Sequence, residues 1–508
     1  MKSKDAASPL PTTWESAAGP HRLGRRDLLA ALLAVPFLAC KAGCDSGKTS
    51  SAVVPPPDLT LPPLTGDALL DALERRAFDY FWDTTDASGL ARDRFTSPTF
   101  CSIASVGFAL SACCLGAERG FVTREQARAR VLATVRFFRD APQGPEATGV
   151  AGHQGFYYHF LDTRTGARFG TCELSTVDTS LLLLGMLHCQ AFFDGADADE
   201  TAIRTLVDEI YARVDWPWFQ ARAPYLATGW SPEQGFFPYD WKGYTEGSLI
   251  YLLALGSPSA ARALGADAWA AWCSTYETSP VSGWVTHYGQ TYLRFPPLFG
   301  HQFLHAWVDM RGIADGYMRG KGIDYFENSR RATYAQQGYA VANPWQWAGY
   351  GQDVWGISAC DGPADVTRVF NGRTRRYMTY AGRGMGGPGE YDDGTIAPYA
   401  AGASLPFAPE IALPALEHMY QRFGKAIFGT YGFTAFNQSF SWTDVALGHG
   451  RVIPGFGWVD GDWLGIELGP LLLQIANHRG GLVWARTRQH AALRAGLTAA
   501  GFTGGWLG

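Results

Sequence analysis

Acidic and amide side chains recur at the first turn of apolar segments along this chain. Glu173 with Asp178 opens the stretch 173–193, Glu246 opens 246–255, His301-Gln302 opens 301–310, Asp353 opens 352–360, and Glu467 opens 467–476. Carboxyl groups in pairs do general acid–base work: one protonates a leaving oxygen while another draws a proton from water. The helix dipole favours Asp and Glu in any first turn, so each one taken alone has an ordinary explanation. Their recurrence on most segments of one kind does not. The loops leading in are aromatic. Trp216-Pro217-Trp218, Trp230, Phe236-Phe237-Pro238-Tyr239 and Trp241 precede Glu246, and Trp345-Gln346-Trp347 with Tyr350 precede Asp353. Sugar rings present apolar faces and hydroxyl rims, which aromatic platforms beside carboxylates and amides suit. Core filling also uses tryptophan, but packing aromatics belong on helix faces, whereas these cluster in loops punctuated by Gly and Pro.

The elements that must carry these groups are helical and of two alternating kinds. Segments 67–82, 124–139, 200–214, 267–276, 324–340, 410–423 and 486–497 are charged and one-sided; 101–115, 173–193, 246–255, 301–310, 352–360 and 467–476 are apolar or small on nearly all faces. A helix apolar all round is buried, and a one-sided helix lies at a surface. Six buried helices alternating with surface helices predict an all-α double ring, the (α/α)6 barrel, with one surface helix to spare. The inner helices of such a ring run parallel, which gathers their N-terminal carboxylates at one end, among long aromatic loops. The stretch Gly155 to Gly170, with a Thr165-Gly166 turn, predicts a β-hairpin delivering the chain to Glu173.

Seven segments then carry a resemblance. Gly155-Phe156-Tyr157-Tyr158-His159-Phe160, Ser175-Thr176-Val177-Asp178-Thr179, Gly243-Tyr244-Thr245-Glu246-Gly247, Pro297-Leu298-Phe299-Gly300-His301-Gln302, Gly349-Tyr350-Gly351-Gln352-Asp353-Val354-Trp355-Gly356, Asp392-Asp393-Gly394-Thr395-Ile396-Ala397-Pro398 and Gly465-Ile466-Glu467-Leu468-Gly469-Pro470 occur in this order. Together they resemble the bacterial glucoamylase-like family, which includes the endo-β-1,2-glucanases of glycoside hydrolase family 144. The resemblance spans about Gly66 to Trp484. It implies an (α/α)6 barrel and an inverting glycosidase acting on a neutral β-glucan, with β-1,2-linked glucan the first expectation. Glu246 sits in the Tyr-x-Glu segment where the family places its general acid. Glu467 sits where the family usually has Ile-Asp-Gln-Gly-Pro, whose Asp is a candidate for the base; here the carboxylate is one methylene longer and the amide is absent. Asp178 and Asp393 are the alternative bases. Glu173, Asp178, Trp241, Tyr244, His301, Gln302, Trp347, Asp353 and Asp393 are the expected substrate-binding residues, and Arg294 is expected to be structural. A first-turn Glu feels the helix dipole, which lowers its pKa, so an acid role for Glu246 requires burial beside Tyr244 and another carboxylate.

Composition narrows the alternatives. With 47 acidic against 42 basic residues, the net charge of −5 offers no basic surface for nucleic acid. Aromatics at 14% exclude disorder for most of the chain. The nine cysteines show no CxxC and no zinc spacing, and Asp83, Asp86 and Asp93 lack the EF-hand pattern, so neither metal nor cofactor is expected. A polysaccharide lyase on the same toroid would need clustered Arg and Lys for uronates, whereas the candidate first turns are acidic. A non-catalytic glycan-binding lipoprotein is the other alternative. At the N-terminus, Arg25-Arg26 precede the twelve-residue apolar run Leu28 to Ala39, too short to span a membrane. This predicts twin-arginine export. Phe37-Leu38-Ala39-Cys40 resembles a lipobox with Cys40 as the acylated residue; ordinary cleavage near Ala42 is the alternative. The division is therefore an export signal over 1–44, a Pro-rich tether over 45–65 and one domain over 66–508. The expected product is a monomer, periplasmic or held to a membrane only by a lipid anchor, whose partner is an oligo- or polysaccharide.

Overall fold

The computed structural model describes residues 57–279, 282–385 and 391–508. The export segment, Cys40 and residues 45–56 of the tether lie outside the described residues. Twelve helices build the body. In chain order they are α1 (Gly66–Thr84), α2 (Ile103–Glu118), α3 (Arg124–Asp140), α4 (Thr176–Phe192), α5 (Ala198–Ala212), α6 (Gly247–Leu255), α7 (Asp267–Ser274), α8 (Phe299–Trp307), α9 (Tyr325–Ala342), α10 (Pro398–Gly402), α11 (Pro409–Ile427) and α12 (Gly465–Gly480). The even-numbered helices are buried on nearly every face. The odd-numbered ones bury one stripe and expose the other. Together they form the (α/α)6 barrel that the alternation predicts.

Inner helices touch their neighbours, α2 against α4 and α12, α4 against α6, and α10 against α12. The α2–α4 approach is backbone on backbone: a Cβ on Gly107 would lie 2.3 Å from the Leu181 carbonyl oxygen, and one on Gly185 would lie 2.1 Å from that of Gly107. Only glycine permits this spacing. Phe108 of α2 stacks on Trp307 of α8 with centroids 4.8 Å apart, filling the interior. Outer helices end in water and are capped for it, as where Thr123 and Gln126 exchange side-chain bonds at the start of α3.

Two stretches depart from the expected helices. Residues 352–360 are not the sixth inner helix: Gly351 to Val354 form a tight turn and Ala359–Asp361 is a strand paired with Tyr380–Gly382. Gly349 and Gly356 hold φ of +84° and +127°, which an α-helix cannot contain. The sixth inner position is filled by α10, five residues long and opened by Pro398 at its first turn. The segment 486–497 divides into Leu482–Thr487 and Ala491–Ala499. Short sheets decorate the ring. Gly152–His153 pairs with Phe156–Tyr157, Phe160–Asp162 pairs with Phe100–Ser102, and Leu161 bridges Arg168 across the Thr165-Gly166 turn. Residues 57–65, assigned from sequence to the tether, lie along α11, where Leu61 N–H donates to the Gln421 carbonyl and Lys425 N–H to that of Leu59.

Candidate active site

The N-terminal ends of the inner helices carry two groups of carboxyls. The first surrounds α4 and α6. Ser175 caps α4, its hydroxyl accepting from Asp178 N–H at 3.1 Å and donating to Asp178 Oδ2 at 2.5 Å. His159 lies between two carboxylates, with Nδ1 3.0 Å from Glu173 Oε1 and Nε2 3.6 Å from Asp178 Oδ2. Burial disfavours charge on the ring, but Asp178 and Glu173 outweigh it and lift the His159 pKa to about 9. Burial raises the pKa of Asp178, against the pull of His159. Glu173 is held below its ordinary value: burial opposes this, and the His159 charge and hydrogen bond prevail.

Glu246 occupies the cap position of α6 and is 3% exposed. Burial first, and the Asp178 charge in addition, push its pKa from 4.5 up to about 7, although its own backbone N–H pulls the other way. Its Oε2 has no hydrogen-bond partner. The dipole that should favour an anion here is therefore overcome by desolvation. Tyr244 is buried beside it, its ring 5.0 Å from that of His301, and Trp241 donates its indole N–H to Thr176 Oγ1 at 2.8 Å.

The second group surrounds the start of α12. Glu467 is buried with Oε1 unpartnered, and burial reinforced by Asp361 raises its pKa well above the ordinary range. Asp361 and Asp460 are raised by burial too. Arg94 is the cation among them, NH1 donating to Asp361 Oδ2 at 2.8 Å and Nε to Asp93 Oδ2 at 3.3 Å. Asp462 accepts from Thr96 N–H and from its own neighbour Trp463 N–H. Asp93 joins the two groups, since its charge acts on His159 and Asp178 on one side and on Asp361 on the other. Sequence reasoning missed Asp361, Asp460, Asp462, Arg94 and His159. The signal available was Asp460-Gly461-Asp462 placed directly before the first turn of α12.

Other expected site residues are spent on structure. Asp393, an alternative base, is fully buried: Arg383 donates to both its oxygens at 2.8 and 2.9 Å, and the Tyr391 hydroxyl and Thr395 N–H add a third and a fourth bond. Arg383 holds its pKa down against burial, and no lone pair is left to face water. Gln302 gives its amide to the Ala400 carbonyl and Ser404 Oγ, tying α8 to α10. Trp347 is buried, its indole N–H on Asp392 and its ring stacked on Phe370, so it is no open platform. Asp353 sits in the tight turn and acts on His418 of the outer helix α11. His301 accepts from Phe295 N–H at Nε2, and burial drops its pKa to about 3, leaving a neutral ring.

Two groups among the described residues have the spacing of a metal site, His159 with Glu173 and Asp178, and Asp361 with His449 and Asp462. In the first, the imidazole is cationic and ion-paired. In the second, Arg94 NH1 lies 2.8 Å from Asp361 and 3.0 Å from His449 Nε2, supplying the positive charge itself. A metal at either group would have to displace that positive charge, since an imidazole ligand must be neutral. Hollows of about 530 Å3 between α3 and α5 and about 320 Å3 at the far end of α12 lie away from these carboxyls.

A double ring of helices with a carboxyl-lined mouth defines the (α/α)6 class of barrel. A protein-family profile described as "Putative glucoamylase" matches residues 238–491, half of the chain, and the chain belongs to that family. It is 28% identical over 463 residues to an exo β-1,2-glucooligosaccharide sophorohydrolase (non-reducing end) of Parabacteroides distasonis, covering 86% of this chain and 58% of that protein. The chain thus spans less than two thirds of that relative. Among solved structures it is similar to the endo-β-1,2-glucanase of Chitinophaga pinensis in complex with sophorotriose and glucose (TM-score 0.72, 25% identity, 87% of this chain and 99% of that one). A β-1,2-glucanase from Parabacteroides distasonis is also similar (TM-score 0.71, 25% identity, 86% and 60%).

Proposed function

We propose that this protein is an inverting glycoside hydrolase acting on β-1,2-linked glucan, with Glu246 as general acid. The observation that carries the reading is a buried carboxyl at the barrel mouth that keeps its proton to about pH 7 and has one oxygen free of any partner. Such a group donates a proton to a departing glycosidic oxygen. On the other side of the mouth, Glu467 acts with Asp361 and Asp460 as the base. The charges of these carboxyls act on one another, so a single anionic member takes the proton from water while its neighbours stay neutral. The water then attacks the anomeric carbon from the face opposite the departing oxygen, and the configuration inverts. The relatives named above support the substrate. Against a lyase, Arg94 and Arg383 are both committed to aspartates, which leaves them unavailable to uronate carboxylates. Export, with acylation at Cys40, places the enzyme outside the cytoplasm and matches a polymeric substrate.

The test is reducing-sugar release from β-1,2-glucan compared with β-1,3-, β-1,4- and α-linked glucans. Activity confined to the β-1,2 polymer, lost in Glu246→Gln, with the opposite anomer formed first by NMR, is the expected outcome. Full activity in Glu246→Gln on the same polymer would remove Glu246 from the mechanism. Binding without turnover would favour the glycan-binding alternative.

A further inference from the structure

Asp178 and Glu246 each keep one buried oxygen, Oδ1 and Oε2, without a hydrogen-bond partner. The other oxygen of Asp178 accepts from Ser175 Oγ at 2.5 Å and lies 3.6 Å from His159 Nε2, at ion-pair distance. The second ring nitrogen of His159 is 3.0 Å from Glu173 Oε1. The ring does not swing free. It stacks on Phe160 with centroids 3.9 Å apart, its backbone N–H donates to the Glu173 carbonyl, and its own carbonyl accepts from Ile103 N–H at the start of α2. A neutral imidazole has one N–H, which the Glu173 contact uses; the second carboxylate, at ion-pair distance from Nε2, favours the doubly protonated ring.

We infer that His159 is a positioning residue for the reaction: a fixed imidazolium that keeps Asp178 ionised, whose negative charge in turn keeps the proton on Glu246. This rests on the reading of Glu246 as the acid. The charges that act most strongly on His159 are those of Asp178, Glu173 and Asp93, all acidic. Those acting on Asp178 include His159, Glu173 and Asp93. Glu173 also feels Arg168, and Glu246 feels Asp178. His159 is thus the cation that counters the burial of Asp178. Without it, burial beside Glu173 and Asp93 drives a proton onto Asp178, and Glu246 loses the repulsion that helps hold its own. His159 touches neither the glycosidic oxygen nor water in this scheme; it acts through Asp178.

Two measurements test this. Nitrogen-15 NMR of the histidine-labelled intact protein should show one imidazole, absent in His159→Gln, doubly protonated at pH 8; a neutral His159 at pH 7 overturns the inference without touching the role of Glu246. If His159→Gln does not fold, Asp178→Asn identifies the same resonance by lowering its titration midpoint. The alkaline limb of the kcat/KM profile on β-1,2-glucan should move to lower pH, on the order of one pH unit, in both His159→Gln and Asp178→Asn. The double variant should move no further. An unmoved limb with activity lowered equally at all pH values would mean a structural role only, and additive shifts would mean that His159 does not act through Asp178. Either result refutes the inference. Loss of the proposed function itself would appear separately, as full activity in Glu246→Gln.

Discussion

Replacing Glu246 by Gln should make the folded protein more stable at neutral pH while abolishing turnover. An exposed glutamate in the unfolded chain titrates near 4.5, whereas burial and the Asp178 charge move the folded group to about 7. The difference corresponds to roughly 3 kcal/mol at 1.36 kcal/mol per pH unit. Its sign follows from proton linkage. Below pH 4.5 both states hold the proton and stability is full. Between 4.5 and 7 the unfolded chain releases a proton that the folded protein keeps, so stability falls as pH rises. Above 7 the buried carboxylate is ionised and the whole roughly 3 kcal/mol is lost. Glutamine cannot ionise and escapes that loss. Denaturant midpoints for both proteins at pH 4.5 and pH 8 check it. They should nearly coincide at the lower pH, and the variant should gain up to about 3 kcal/mol at the higher. A gap of the same size at both pH values would show that Glu246 titrates normally, and with it the argument for a poised acid would fall.

Other consequences follow from the same geometry. The alkaline limb of kcat/KM on β-1,2-glucan should have its midpoint near pH 7, where Glu246 loses its proton; a midpoint near 5 in a pH-rate series would contradict it. Asp393→Asn should cost about 3 to 5 kcal/mol, because it strands the buried Arg383 guanidinium, and its Tm should drop even without substrate. Gly107→Ala should lower Tm sharply by forcing α2 from α4, since the new methyl would meet the Leu181 carbonyl at 2.3 Å. Glu467→Asp should withdraw the carboxyl by about one bond and cut kcat by about a hundredfold with little change in Tm; equal or higher activity would mean that its reach is not used.

The ring was legible because burial leaves a plain mark on sequence. Leu181-Leu182-Leu183-Leu184 and Leu471-Leu472-Leu473 are apolar on consecutive positions, which a surface helix cannot be. The same rule misplaced one inner helix. Val354-Trp355-Gly356-Ile357 is buried and apolar, but glycines at φ of +84° and +127° make it a folded loop. Its replacement, α10, is five residues long and too short to show periodicity. Glu246, Glu467 and Asp178 could be placed at one end of the barrel from sequence because helix starts fix their direction. Asp361, Asp460 and Asp462 were not, because they sit on a strand end and a loop whose position depends on pairing far along the chain. Asp393 misled for the opposite reason. Its partner, Arg383, lies ten residues away and nothing local announces a buried ion pair.

Several of the acidic groups at this end of the barrel are pushed toward their protonated forms, and this bears on what the site can hold. Glu246, Asp361, Asp460 and Glu467 all have raised pKa values, and each raised carboxyl is a donor as well as an acceptor while its proton remains. Arg94 and His159 add cationic donors whose partners are fixed aspartates and a glutamate. The result is a buried set of mixed donors and acceptors. A neutral polyol, whose every hydroxyl both gives and takes a hydrogen bond, is matched by such a set. An anionic polymer meets protonated carboxyls and two cations, Arg94 and His159, whose charges are already paired with carboxylates. A strongly cationic ligand would instead strip the shared protons and charge the buried acids together. Raising the pH does the same: once Glu246 and its neighbours ionise, the mouth loses donors and gains repulsion at once. Glucan binding should therefore weaken above pH 7 in step with the loss of turnover.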